Sequence, residues 1–374
     1  SKITLIFLFC RKEIYDTFGK DFKGFKMVIK MEWIEYELKF IEVAQKNNKN
    51  KKYCNQWLKY AKNLWERELP IIFTQDHLCA LLGYEPIYVY GVSNSPHNFY
   101  HCYQVPKKSG GKRSISEPLP NLKEIQRWIL ENILYRFEVS PYAKAYIKNK
   151  SIKDNVRFHR RQRKVLSLDV KNFYNHLTDW MVYQLFIEVG YSESVAMMLT
   201  NLCCLDGSLP QGAPSSAALS NILMKDFDYK VGYFCKKSKI RFTRYADDMT
   251  FSGDFDEVKV ISFVKKSLKD LQLTINDEKT RVRRQGQQQE VTGIVVNYKP
   301  QLAKSVRKNI RKDVYYINKY GLQSHLKYIQ EERSNYLEHL FGLINYALFI
   351  NPDDEEMKKY KIDIKCLMKK EEMN

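Results

Sequence analysis

The sequence predicts an α+β fold that ends in an all-helical piece. Three observations carry this. Short strand-like runs recur between longer stretches with helical spacing of apolar residues. Two of the runs, residues 240–245 and 249–252, alternate apolar and polar residues on either side of a tight turn that holds Asp247 and Asp248. From Leu302 onward only helical spacing remains. With 374 residues and 44% hydrophobic content, the chain suffices for two or three domains and a substantial core.

Taken in order, residues 1 to about 30 read as an extension with Met27 and Met31 as alternative starts. The apolar run 3–10 fits a buried strand or helix, because Arg11 and Lys12 follow it and no small-residue cleavage site is near. Residues 33–69 place Trp33, Tyr36, Leu38, Phe40 and Ile41 at helical spacing, with a polar, basic loop at 47–52. Residues 75–83 predict a short helix and 91–98 a loop. Residues 103–118 predict a hairpin turning at Ser109, Gly110 and Gly111. Leu122, Ile125, Ile129, Ile133 and Phe137 mark an amphipathic helix, and residues 144–164 are strongly basic. Residues 165–170 predict a buried strand. Helices follow at 178–189, capped by Thr178 or Asp179 and closed at Gly190, at 192–205, and in one long stretch at 215–236. After the acidic hairpin come a helix at 257–271, strands near Leu273 and at 291–297, and the helical tail with Leu302, Val306, Ile310, Val314 and Ile317 inward.

The net charge of +19 points to a polyanionic partner, of which nucleic acid is the commonest. No segment approaches the roughly 20 apolar residues needed to span a bilayer, so a membrane partner is not expected. The eight cysteines are scattered, with one adjacent pair, Cys203 and Cys204. None is spaced as in a zinc knuckle, and reduced thiols in the cytoplasm fit this usage.

The chemistry concentrates at Tyr245, Ala246, Asp247 and Asp248. Paired carboxylates at a hairpin tip repel, and a bound divalent cation removes that cost. Magnesium takes hard oxygen ligands, usually one or two carboxylates plus substrate phosphates. Nucleotidyl transfer needs a third carboxylate from another strand, because two metals about 3.5–4 Å apart clamp the attacking hydroxyl and the leaving pyrophosphate. Asp169, where the apolar run 165–168 turns polar, is the candidate. On the residues alone, a solvated turn at Asp247 and Asp248 and a turn cap at Asp169 remain alternatives.

Three segments then resemble one family. Leu168, Asp169, Val170, Lys171, Asn172, Phe173 and Tyr174 resemble the first metal-binding motif of reverse transcriptases. Residues 209–216, with Pro210, Gln211 and Gly212, resemble their nucleotide-binding motif, and Tyr245 to Asp248 their paired-aspartate motif, in the family's order and spacing. The resemblance covers roughly residues 100–350. Within the family the chain is most similar to retron reverse transcriptases. Asn155, Val156 and His159 resemble the retron Asn-Ala-x-x-His element, with Val in place of Ala, and Val291, Thr292 and Gly293 resemble the Val-Thr-Gly element.

The resemblance implies a right-hand polymerase fold: an N-terminal, mainly helical extension over 1–100, fingers and palm over 101–300, and a helical, RNA-binding thumb over 301–374. It implies RNA-directed DNA synthesis with two Mg²⁺ held by Asp169, the Val170 backbone, Asp247 and Asp248. Lys107 and Arg113, on the fingers hairpin, are expected at the incoming triphosphate, Arg by its bidentate fork. Tyr174 stands where the family's steric gate selects dNTPs, Gln211 is expected at the nucleotide, and Lys279 resembles the lysine that protonates pyrophosphate. Asn155 and His159 are implied to recognise the enzyme's own RNA. Lys304, Arg307, Lys308, Arg311 and Lys312 lie opposite the apolar stripe of the tail and face only Asp313, which suits tracking phosphates. The implied partners are dNTPs, a cognate non-coding RNA, the RNA–DNA hybrid product and an effector protein in anti-phage defence. An intron-derived or diversity-generating reverse transcriptase is the second reading. A non-catalytic RNA-binding scaffold is the third, and three intact repelling carboxylates oppose it.

Overall fold

A computed structural model describes residues 32–106 and 110–371. The expectations for residues 1 to about 30 and for Lys107 lie outside the described residues. The helices are α1 (Trp33–Lys46), α2 (Lys51–Glu66), α3 (Gln75–Leu82), α4 (Pro86–Asn94), α5 (Pro120–Asn132), α6 (Ile152–Val156), α7 (Phe173–His176), α8 (Asp179–Glu188), α9 (Glu193–Cys203), α10 (Ser216–Leu223), α11 (Lys225–Lys237), α12 (Glu257–Lys269), α13 (Lys304–Tyr320), α14 (Leu322–Ile329), α15 (Tyr336–Ile350) and α16 (Glu355–Glu371). The strands are β1 (Tyr100–Pro106), β2 (Lys112–Pro118), β3 (Lys164–Asp169), β4 (Arg241–Tyr245), β5 (Asp248–Gly253), β6 (Arg281–Arg284), β7 (Glu290–Val291), β8 (Ile294–Val295) and β9 (Gln301–Leu302). The chain divides into two compact units, residues 1–140 with 172–226 and residues 141–171 with 227–374. No described helix is long and apolar enough to cross a membrane.

In the first unit, Asn50 caps α2 by accepting from the Tyr53 amide at 2.8 Å. Phe40, Ala44, Cys54, Leu58, Ala61 and Phe73 close a core between α1 and α2, with Phe40 and Phe73 stacked at 6.0 Å. β1 and β2 form the expected hairpin, in register from Tyr100 opposite Pro118 to Pro106 opposite Lys112. Gly110 and Gly111 take φ of 87° and 77° on its turn, which glycine reaches without a Cβ penalty. The Thr178 hydroxyl caps α8 by accepting from the Met181 amide. Two expectations need correction. Residues 91–94 belong to α4 and 96–99 to a 3-10 turn rather than to a loop, because Pro86 and Pro96 each preset the first position of a helical turn. The long helix expected at 215–236 is two helices, interrupted at Met224.

The second unit carries a four-stranded antiparallel sheet in the order β4-β5-β3-β6. Side chains alternate between its faces. By register, one face carries Val165, Ser167, Asp169, Thr243, Tyr245, Asp248, Thr250 and Ser252, and is largely polar. The other carries Lys164, Leu166, Leu168, Phe242, Arg244, Met249, Phe251, Val282 and Arg284, and its buried side chains are apolar apart from Arg244. No strand forms at Leu273. Instead Ile275 makes a single bridge to Val170, and the fourth strand is the charged Arg281–Arg284 segment. The strand expected at 291–297 is a tight hairpin, β7 and β8, whose turn residues Thr292 and Gly293 take φ of 47° and 83°. Val165 of the polar face joins a core with Val156, Val291, Ile294, Leu302, Ile310, Val314, Leu340 and Ile344, so the helical tail seals one end of this unit.

Candidate active site

β3 and β5 pair so that Asp169, the last residue of one, stands opposite Asp248, the first residue of the other. Directly opposed residues in antiparallel strands have Cα atoms about 4.5–5.5 Å apart. Asp247 lies in the two-residue turn that joins β4 to β5. Its carbonyl accepts from the Val170 amide at 3.1 Å, and the Asp169 carbonyl accepts from the Asn276 amide at 2.7 Å. Ala246, the other turn residue, takes a left-handed φ of 58°. Asp169 is only 7% exposed. Both its carboxylate oxygens accept from Lys279 Nζ, at 3.0 and 2.9 Å.

Electrostatics record the crowding of carboxylates. The Asp248 carboxyl is pushed up to about 7, first by the protein packed around it, then by the negative charges of Asp247 and Asp169, with Lys279 opposing. Asp248 also keeps an exposed edge, and water there screens part of the push. Among the described residues, no group of three or more His, Cys, Asp or Glu side chains is arranged to hold a metal ion by itself. Two features nevertheless fit magnesium. The donors are all hard carboxylate oxygens, and a cationic ammonium already bridges both oxygens of Asp169. Magnesium draws its remaining ligands from substrate phosphates and water, so an incomplete protein cage is its usual site.

Asn155 and His159 are both buried, His159 with 0% exposure. The Thr243 hydroxyl donates to Asn155 Oδ1 at 2.5 Å. Its single hydrogen being used, Thr243 accepts from His159 Nε2–H at 2.7 Å, which leaves Nδ1 to accept from the Ser252 hydroxyl at 2.7 Å. Asn155 Nδ2 also donates to Thr292 Oγ1 at 3.4 Å. Burial and the nearby cations Arg241 and Lys144 bring the His159 imidazole down to about 3, so it is neutral at physiological pH. Both side chains, expected to serve recognition of the enzyme's own RNA, are thus enclosed by the protein. They are spent on tying the segment after Ser151 to β4, β5 and the β7–β8 turn.

In the first unit, Arg113 is exposed on β2, opposite Val105 of β1. Tyr174 is half-buried in α7, with its ring at 5.3 Å from Phe173. The Gln211 carbonyl accepts from the Ser116 amide at 2.8 Å, pinning the loop before α10 to β2. Gly212 makes that approach possible: its φ is +131°, and a Cβ there would lie 2.8 Å from the Ser116 carbonyl oxygen.

The basic helix α13 is corrected in part. Arg307 pairs with Asp354 and Glu356, and Arg311 with Glu356 at 2.6 Å, so the two arginines hold α16 rather than face only Asp313. Lys304 and Lys308 are exposed, with no ion-pair partner among the described residues, and Lys312 lies over the Tyr316 ring. Sequence reading also missed Arg244 and Asp228, fully buried and bidentate at 2.7 and 2.8 Å. The available signal was an arginine on the apolar side of a buried strand.

The family profile described as "Reverse transcriptase (RNA-dependent DNA polymerase)" matches residues 105–296. The chain is 31% identical to the Retron Ec86 reverse transcriptase of Escherichia coli over 257 residues, which cover 67% of this chain and 77% of that protein. This chain belongs to the retron-type reverse transcriptases. A second member of the group, the Retron Mx65 reverse transcriptase of Myxococcus xanthus, is 32% identical over 77% of this chain and 71% of its own length. The protein is therefore an RNA-directed DNA polymerase of right-hand fold that takes an RNA template and nucleotide substrates, in a family that generally uses divalent metals. Among solved structures, telomerase from Candida albicans in complex with a fragment of telomeric RNA aligns at a TM-score of 0.40 and 12% identity, over 73% of this chain and 63% of that one, a likeness too distant to argue from.

Proposed function

We propose that this reverse transcriptase copies part of a cognate structured retron RNA into single-stranded DNA. Synthesis starts from a 2′-hydroxyl of that RNA and leaves an RNA–DNA hybrid, which serves with an effector protein in anti-phage defence. The retron-named relatives support the choice of RNA. The opposition of Asp169 and Asp248, with Asp247 in the adjoining turn, is the observation that carries the chemistry.

Asp169, the Val170 backbone and Asp247 are assigned to hold two Mg²⁺, with Asp248 as a weaker ligand. Bound there, the ions stabilise charge on the attacking and leaving oxygens. Lys279, whose Nζ donates to the Asp169 carboxylate, is assigned to protonate the leaving pyrophosphate. Lys107 and Arg113 neutralise the triphosphate, Gln211 contacts the nucleotide, and the Tyr174 ring crowds a 2′-hydroxyl. Residues 101–300 serve as fingers and palm and residues 301–374 as thumb, where the free lysines of α13 take RNA phosphates. Asn155 and His159 act on RNA only through the elements they hold.

The test is to purify the protein from cells with its nucleic acid and sequence what accompanies it, then to assay extension on that RNA and on a scrambled version. One RNA, covalently joined to DNA through a 2′-linkage, is the expected companion. Equal extension on both templates would refute the cognate-RNA reading and leave the polymerase intact.

A further inference from the structure

Arg244 is the one buried charged side chain on the apolar face of this sheet among the described residues. A buried ion pair replaced by well-packed apolar residues usually leaves a protein equally stable or more so. The guanidinium does more than pair, however. Nε and Nη2 hold the two oxygens of Asp228, which fixes the plane of the group. Nη1 then donates to the Ala246 carbonyl at 3.0 Å. Ala246 is the residue with φ of 58°, a conformation disfavoured for alanine, and its neighbour in the turn is Asp247. A strained turn persists only where its surroundings over-determine it. The bond from Arg244 on one side and the Val170 amide on the Asp247 carbonyl at 3.1 Å supply that determination. The Arg244 backbone is itself fixed, its amide donating to the Tyr142 carbonyl and its carbonyl accepting from the Lys144 amide.

We propose that the buried Arg244–Asp228 pair is a positioning device: it holds the Ala246–Asp247 turn, and through it the Asp247 carboxylate, in the geometry that nucleotidyl transfer needs. Arg244 lies on the sheet face opposite Asp169 and Asp248, so it acts through the turn and not on substrate. The proposal rests on the reading of Asp247 as a metal ligand.

The experiment compares wild type, Asp247→Asn, Arg244→Lys, and the double variant Asp228→Leu with Arg244→Met. The double variant removes both charges together, so no uncompensated charge is left buried. Expected for it are near-wild-type RNA binding, a dNTP half-saturation changed little, and a maximal single-turnover rate lowered about 10²-fold, the size of effect that a misplacement of about 1 Å produces. Amide exchange at Val170, the donor to Asp247, should quicken in the same protein, which reports the turn without reference to activity. Arg244→Lys keeps the charge but lacks the planar fork, and should show the same split to a smaller degree. It decides the matter if the double variant does not fold. A folded double variant, or Arg244→Lys, with wild-type rate and wild-type Val170 exchange overturns the proposal. Asp247→Asn separates the two readings: if it extends normally, the metal assignment itself is wrong, whereas its inactivity beside fully active Arg244 variants sinks only the positioning role.

Discussion

Acidifying the protein should loosen the β4–β5 hairpin through a single residue, His159. Its imidazole has an ordinary value of 6.5 and is held near 3 in the fold, mainly by burial and secondarily by Arg241 and Lys144. The sign follows from proton counting. Between about pH 3 and 6.5 the opened chain binds a proton that the folded one excludes, so stability is lost as pH falls through that window. From pH 7 to pH 5 the traverse is about 1.5 pH units below the open-state value, or about 2 kcal/mol. That corresponds to roughly a 30-fold rise in the opening equilibrium. Hydrogen exchange of peptides covering residues 241–253, corrected for the intrinsic pH dependence of exchange, reads this locally. His159→Gln keeps a donor and an acceptor but cannot titrate. It should open more readily at pH 7 and lack the extra acid sensitivity. Equal pH dependence in the two proteins would refute the account, because every other titrating group is common to both.

Three further outcomes are expected. Asp247→Asn should lower DNA synthesis on the order of 10³-fold or more while leaving RNA binding in place, since it removes charge without changing shape; primer extension and a binding isotherm check it together. Tyr174→Ala should raise rNTP incorporation relative to dNTP on one template, and an unchanged ratio would make the ring a packing residue. Replacing Lys304, Lys308 and Lys312 by Ala should weaken RNA binding and make the dependence of log affinity on log salt shallower by about 2–3. Arg307→Ala should instead cost stability, because it strands the buried Asp354, while Glu356 keeps Arg311.

The three carboxylates that meet at the end of the sheet were legible because their signals are local. Asp169 ends an apolar run, Asp247 and Asp248 stand side by side where two alternating strands meet at a tight turn, and Thr178 precedes its helix as a cap. What stayed hidden depends on partners far away in sequence. Nothing near Arg307 announces Asp354, 47 residues on, so its charge read as free. Nothing near Asn155 announces Thr243 or Thr292, so their buried junction between α6 and a 3-10 turn left no trace in the local sequence. The interruption at Met224 has no proline or glycine beside it, so spacing alone carried the helix through.

The β4–β5 hairpin is held by polar groups on both faces of one sheet, and the choice of polar over apolar groups has a physical reason. A strand's side chains repeat every two residues, so a slip of one would carry Asp248 onto the face of Met249 and Phe251. Burial alone opposes that slip only weakly here, because residues 242–244 and 249–252 are buried on both sides. Hydrophobic packing is non-directional and would tolerate either register. Hydrogen bonds would not. On one face, the hydrogen bonds of His159 and Asn155 require hydroxyls at Thr243 and Ser252. On the other, Asp228 accepts only a guanidinium at Arg244. After a one-residue slip the same partners would meet Phe242, Phe251 or Met249, and several buried polar groups would go unsatisfied at about 1–3 kcal/mol each. The retron-type pair Asn155 and His159 and the arginine before the paired aspartates therefore do one job from opposite sides. They convert a strand pairing that packing leaves loosely specified into a single register, the one that sets Asp248 against Asp169.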